Sequence, residues 1–201
     1  TNATGFSPLA NGLPRLAVSS NIGVNRVPVG TDYGYFGGGT PGPYSTVDRI
    51  DYSNDTATAA AKGPLSLARY GLAATGNKDY GYWAAAYPAG STVDRIDYSS
   101  DTSIASPKGP LSGARSYLAA TGNTSYGYFG GEYPAKSTVD RIEYANDTAT
   151  TPTKGPLSSA RYGPAATGNA DYGYFGGGGP YSTVDRVDYS NDTATAAEKG
   201  P

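Results

Sequence analysis

Along "TVDRIDY" (46–52) polar and apolar positions alternate. In an extended segment this places Thr46, Asp48, Ile50 and Tyr52 on one face and Val47, Arg49 and Asp51 on the other. Both faces mix charge with apolar atoms, so the strand is expected between two layers, with its charges paired. "YSTVDRIDYSNDTATA" (44–59) returns as "GSTVDRIDYSSDTSIA" (90–105), "KSTVDRIEYANDTATT" (136–151) and "YSTVDRVDYSNDTATA" (181–196). The anchors Ser45, Ser91, Ser137 and Ser182 lie 46, 46 and 45 residues apart. That period fits a four-stranded β-propeller blade; a helical repeat would need long 3.6-residue patterns, which the chain lacks.

Four strands are expected per unit. The first is "YGLAATGN" (70–77), with counterparts at 117–123 and 162–169. The second is "YGYFGGG" (33–39), matched at 80–86, 126–132 and 172–178. The third is the alternating strand above, and the fourth is the short "TATA" (56–59), reached through an Asn/Asp turn at "SND". "KGPLSLAR" (62–69), with its Gly-Pro loop signal, leads on to the next unit. The chain is therefore read as all-β, with units over about 32–69, 70–115, 116–161 and 162–201 after an N-terminal segment, 1–31. Within that segment, "SPLANGLPRLAVSSN" (7–21) looks like a degenerate form of the continuation that "EKGP" (198–201) would have. Ring closure and head-to-tail joining of chains both fit this phasing, whereas residues 22–31 match neither unit. A chain that starts at Thr1 and contains no Met is expected to be processed or part of something longer.

The unit resembles the kelch repeat: an apolar strand ending in a glycine pair, a variable loop, a strand ending in an aromatic and an acidic turn, and a short fourth strand. It departs from that pattern at Ala84 and Ala85, which replace the glycine pair, and in lacking a tryptophan after the acidic turn, since Trp83 lies on the second strand. The resemblance implies a kelch-like β-propeller and no particular activity, because kelch propellers serve enzymes, scaffolds and adhesins alike. The wording "GYFGGG…STVDRIDYSNDTATA…KGPLSLARYGLAATGN" is also similar to tandem repeats in structural proteins of marine bacteriophages, notably cyanophages. That similarity implies a tail, fibre or capsid-surface protein, in a virion or outside the cell, with other virion subunits as partners.

Charge and composition narrow the chemistry. A net charge of −2 provides no basic field for a nucleic acid, and no apolar run is long enough for membrane insertion. His and Cys are absent, which removes the commonest general base, the thiol nucleophile and most zinc sites. Twelve of the 17 acids fill three positions repeated four times, whereas an active site needs one exceptional constellation. Structural roles are accordingly expected for Asp48, Arg49, Asp94, Arg95, Asp140, Arg141, Asp185 and Arg186, as pairs between blades or caps on loop carbonyls. No catalytic residue, metal or cofactor is expected. Asp51, Asn54 and Asp55 could offer a calcium ion three oxygens, but it requires six to eight, and an ordinary Asx turn explains them better.

Units of this chain differ most in the loops between second and third strands: "GGGTPGP" (37–43), "AAAYPAG" (84–90), "GGEYPAK" (130–136) and "GGGGPY" (176–181). Loops that vary on a rigid scaffold are where recognition usually resides. Tyr44, Tyr87, Tyr133 and Tyr181, with Glu132 and Lys136, are therefore the candidate binding residues, and a host-surface glycan is a candidate partner because tyrosine rings suit sugar faces. The functional expectation is a non-enzymatic virion structural or attachment protein. The alternatives are a filament or surface-layer subunit assembled by strand donation, and a carbohydrate-binding module.

Overall fold

The computed structural model of the chain describes residues 17–20, 33–179 and 181–200. These form four antiparallel sheets, each a meander whose order follows the chain. The first contains β1 (Ala17–Ser20), β2 (Tyr33–Gly37), β3 (Val47–Asp51) and β4 (Ala60–Lys62). The second contains β5 (Ala73–Gly76), β6 (Tyr80–Ala86), β7 (Gly90–Asp97) and β8 (Ser106–Lys108). The third contains β9 (Ala119–Gly122), β10 (Tyr126–Gly130) and β11 (Val139–Glu143). The fourth contains β12 (Ala165–Gly168), β13 (Tyr172–Gly176), β14 (Val184–Asp188) and β15 (Ala197–Gly200). The inner strands β1, β5, β9 and β12 lie side by side in chain order, a propeller-like arrangement in which each sheet is a blade.

Two elements differ from the sequence reading. "TATA" (56–59) is not the fourth strand, because consecutive turns, closed by Asn54 N to Asp51 O and Ala57 N to Asn54 O, consume the chain through residue 57. Pairing resumes at β4, where Lys62 faces Val47. In the third blade the fourth strand shrinks to a single bridge between Asp140 and Thr153. Pro152 stands there in the place of Ser106 in the second blade, and its missing N–H cannot return a bond to Arg141. Of the N-terminal segment 1–31, Ala17–Ser20 supply the inner strand of the first blade, and the rest lies outside the described residues.

Cross-strand register places a tyrosine beside an arginine in every blade: Tyr35 with Arg49, Tyr82 with Arg95, Tyr128 with Arg141 and Tyr174 with Arg186. These side chains share the face turned toward the following blade. The opposite face carries Trp83, Phe129 or Phe175 with Ile96, Ile142 or Val187, turned toward the preceding blade. Three apolar clusters result, one per junction, with Tyr35, Val47 and Leu65 meeting Trp83 and Ile96 in the first. Tyr82 and Val93 meet Phe129 and Ile142 in the second, and Tyr128 and Val139 meet Phe175 and Val187 in the third. The core thus lies between blades, and a blade cannot bury its apolar faces alone.

The "KGPLSxAR" segment fastens each junction. Gly63 N donates to Asp101 O, Ala105 N to Pro64 O, and Leu65 N to Ser45 O, all at 2.8 Å, so one strap is bonded to both blades. Gly109 and Gly155 repeat the first of these bonds, to the carbonyls of Asp147 and Asp192.

Candidate functional site

Two sets of side chains could carry function: the repeated charges and the loop tyrosines. Most of the repeated charges are committed to the blade junctions. Asp101 accepts from Tyr35 Oη at 3.0 Å and from Arg49 at 2.7 Å, with Lys62 Nζ at 3.2 Å. Asp147 takes Tyr82 at 2.9 Å, Arg95 at 2.7 Å and Lys108 at 3.7 Å. Asp192 takes Tyr128, Arg141 and Lys154 in the same way. Each arginine also lies over a tyrosine of its own blade, Arg95 at 4.3 Å from the Tyr80 ring centre. Burial pushes the Tyr35, Tyr82 and Tyr128 hydroxyls well above the ordinary tyrosine range, which keeps them protonated donors.

Each junction uses a second buried carboxylate. Asp94 accepts from Ser66 N and Oγ and from Arg69 at 2.7 Å. Asp140 is held by Ser112 and Arg115, and Asp185 by Ser158 and Arg161. Asp48 occupies this position in the first blade. It is buried, burial raises its carboxyl above the usual value, and its Oδ1 has no hydrogen-bond partner among the described residues. Arg49, Arg95 and Arg141 are the inter-blade partners described above, whereas Arg186 lies over Tyr172 at 4.3 Å. The acidic turns close on themselves, since Ser53 N and Oγ donate to Asp51 Oδ1 and hold that carboxyl below the usual range. Among the described residues no three acids converge as a cation would require.

The loop residues divide differently. Glu132 is not displayed by its loop as the sequence suggested: it is buried, 2.8 Å from Lys136 and 3.7 Å from Arg115. A carboxylate next to an already buried arginine is drawn inward to complete the charge balance. Lys136 itself stays exposed. Tyr181 lies at the far blade near Arg161, 5.6 Å from its ring centre, and Tyr44 bridges to Arg69 by backbone. Tyr87 and Tyr133, 40% and 51% exposed, are the two that converge.

They do so with two tyrosines outside the loops, Tyr117 and Tyr162. Ring centres step from Tyr70 to Tyr87 (5.2 Å), Tyr117 (5.6 Å), Tyr133 (6.2 Å) and Tyr162 (5.7 Å), the last two contacts edge to face. Backbone bonds between units hold the row: Tyr117 N to Gly71 O, Tyr133 N to Ser116 O and Gly163 N to Tyr117 O, each 2.8 Å. Between the rings is an open cleft of about 530 Å³, floored by Leu72 and Leu118. Tyr117 has φ +55°, and the same position in neighbouring units is Gly71 (+68°) or Gly163 (+61°). A side chain there costs on the order of 1–2 kcal/mol, so the ring sits where backbone economy favours glycine. The signal was present in the sequence, where "SYLAATGN" (116–123) replaces the "YG" of the units beside it.

Among the described residues no ionisable acid or base other than phenols lines the cleft, so it can stack and hydrogen-bond a flat or ring-shaped neutral ligand. No family model matches the chain, and no curated protein matches it.

Proposed function

We propose that this protein is a non-enzymatic attachment or structural component whose rigid blades hold a tyrosine-lined cleft against a neutral, ring-shaped ligand, with sugars of a surface glycan as the favoured class. The observation that carries the reading is Tyr117, a strained side chain held at a glycine position in the middle of the aromatic row. Its neighbours show that the fold accepts glycine there, so the ring itself is what the site retains. The commitment of most of the repeated acids and arginines to the blade junctions supports a role without acid–base chemistry. The setting implied by the repeat wording, a virion or other extracellular particle, belongs to the same proposal.

The test is a panel of neutral oligosaccharides, with the best binder then titrated calorimetrically. Tyr133→Ala is expected to weaken binding about tenfold, the equivalent of about 1.4 kcal/mol. Tyr117→Gly is expected to weaken it similarly while raising unfolding stability by roughly 1 kcal/mol through relief of the left-handed backbone. A panel without a binder, or variants that bind as well as the parent, would remove the reading.

A further inference from the structure

At each junction within the chain, the forward face of one blade receives the same two side chains from the next, a tyrosine and, three residues on, an aspartate. Tyr35 stacks on Tyr98 at 4.6 Å between ring centres, Tyr82 on Tyr144 at 4.9 Å and Tyr128 on Tyr189 at 4.6 Å. The aspartate of the same turn, Asp101, Asp147 or Asp192, accepts from that forward tyrosine's hydroxyl and from the arginine beside it, and a lysine completes the set. The spacing has a simple cause. Each turn is a single turn of 3-10 helix, Tyr98–Ser100, Tyr144–Asn146 or Tyr189–Asn191, closed by the aspartate, and such a helix stacks residues i and i+3 on one side. A forward face is thus a receptor for a Tyr-x-x-Asp turn.

The fourth blade has the receptor without the turn. Register places Tyr174 beside Arg186 as in the other three blades, and Lys199 holds the repeat position of Lys62, Lys108 and Lys154. Among the described residues Tyr174 has no stacked ring and no hydrogen bond, and neither Arg186 nor Lys199 makes an ion pair, unlike their counterparts. Tyr174 and Val184 are half-buried, although Tyr35, Tyr82 and Tyr128, and Val47, Val93 and Val139, are fully buried. On β12, Ala165 and Thr167 are exposed where Ala73, Ala119, Thr75 and Thr121 are buried. A phenol, a guanidinium and an ammonium therefore lack the carboxylate that three copies of the same set each hold.

We infer that this face docks a Tyr-x-x-Asp turn carried by a different protein. The incoming tyrosine stacks on Tyr174, the incoming aspartate accepts from the Tyr174 hydroxyl and from Arg186, and Lys199 supplies the remaining charge. A neutral or basic turn would leave Arg186 unanswered. The chain's own turns are engaged elsewhere: Asp101, Asp147 and Asp192 fill the three internal junctions, and Tyr52 and Asp55, the pair left over, each have a partner. This inference does not rest on the ligand reading of the tyrosine cleft.

The probe is the peptide of residues 188–196, DYSNDTATA, which carries Tyr189 and Asp192. Added to the isotope-labelled 201-residue chain and followed by nuclear magnetic resonance, it is expected to shift the amide signals of β12, β13, β14 and β15 and leave those of the first three blades in place. Asp192→Asn or Tyr189→Ala in the peptide, and Arg186→Gln in the chain, are each expected to weaken binding about tenfold, the last with the β-sheet circular dichroism unchanged. Acetate at equal concentration is expected to leave the signals unmoved. A peptide that does not bind overturns the inference, and so does acetate that binds as tightly, which would leave a general anion site. Self-association of the chain that Arg186→Gln abolishes would put a second copy on this face and overturn the assignment to a different protein.

Discussion

Asp147→Ala is expected to lower unfolding stability by about 3–5 kcal/mol, more than any surface substitution in the chain. The carboxylate accepts from Tyr82 and Arg95 and faces Lys108, so its removal leaves a buried phenol and a guanidinium without their acceptor. The loss comes mainly from those stranded groups, since an interior charge pair is costly to break and only modestly favourable to make. Asp147→Asn should fall between, because an amide oxygen still accepts a hydrogen bond but carries no charge for Arg95. Urea unfolding followed by circular dichroism checks both. A loss under about 1 kcal/mol for the alanine variant would mean that the junction is held by apolar packing alone.

Gly109→Ala is expected to be nearly as damaging, for a steric reason. A Cβ at that position would lie 1.9 Å from the carbonyl oxygen of Ala149 and 2.4 Å from its carbon, both main-chain atoms of the next blade. The strap would have to lift, and it would take with it the bond from Gly109 N to Asp147 O. Overpacking of this kind costs about 1–3 kcal/mol, and the lost hydrogen bond adds roughly 1 more. Gly113→Ala is the control, because a Cβ there meets nothing within 4 Å, and it should change stability by less than about 0.5 kcal/mol. The same urea titration reports both variants, and equal effects would contradict the close approach of strap and blade.

These two positions show why so much of the fold was legible in the sequence. The period of 46, 46 and 45 residues, the alternation of "TVDRIDY" and the repeated Gly-Pro are local signals, and each maps onto a blade, a strand or a strap. The face assignment also follows from the pleat: Val47 and Arg49 point forward, Asp48 and Ile50 backward, as strict alternation requires. The fourth strand was misplaced because "TATA" has strand propensity but lies within reach of an acidic turn that uses its backbone first.

The candidate site was less visible for two reasons. A tyrosine that replaces glycine before the inner strand is a single-residue departure, and its meaning appears only when folding brings it beside loop residues from other units. Glu132 looked like a variable loop acid, but the buried Arg115 is its neighbour in space and not in sequence. Whether four blades close is set by small angles added over three junctions, which no local pattern encodes. The exposure of β12 reveals the outcome only in three dimensions.

The claim beneath all of this is that the repeated charges are joints between blades. The most direct measurement compares the same substitution at equivalent positions, Arg95→Gln and Arg186→Gln, by urea unfolding of dilute protein. Both arginines lie 4.3 Å over a tyrosine of their own blade, so the comparison isolates the carboxylate that, among the described residues, Arg95 meets at 2.7 Å and Arg186 does not. The expected result is a loss of about 2 kcal/mol at Arg95 and under about 0.5 kcal/mol at Arg186. Equal losses at the two positions, or none at Arg95, would contradict it.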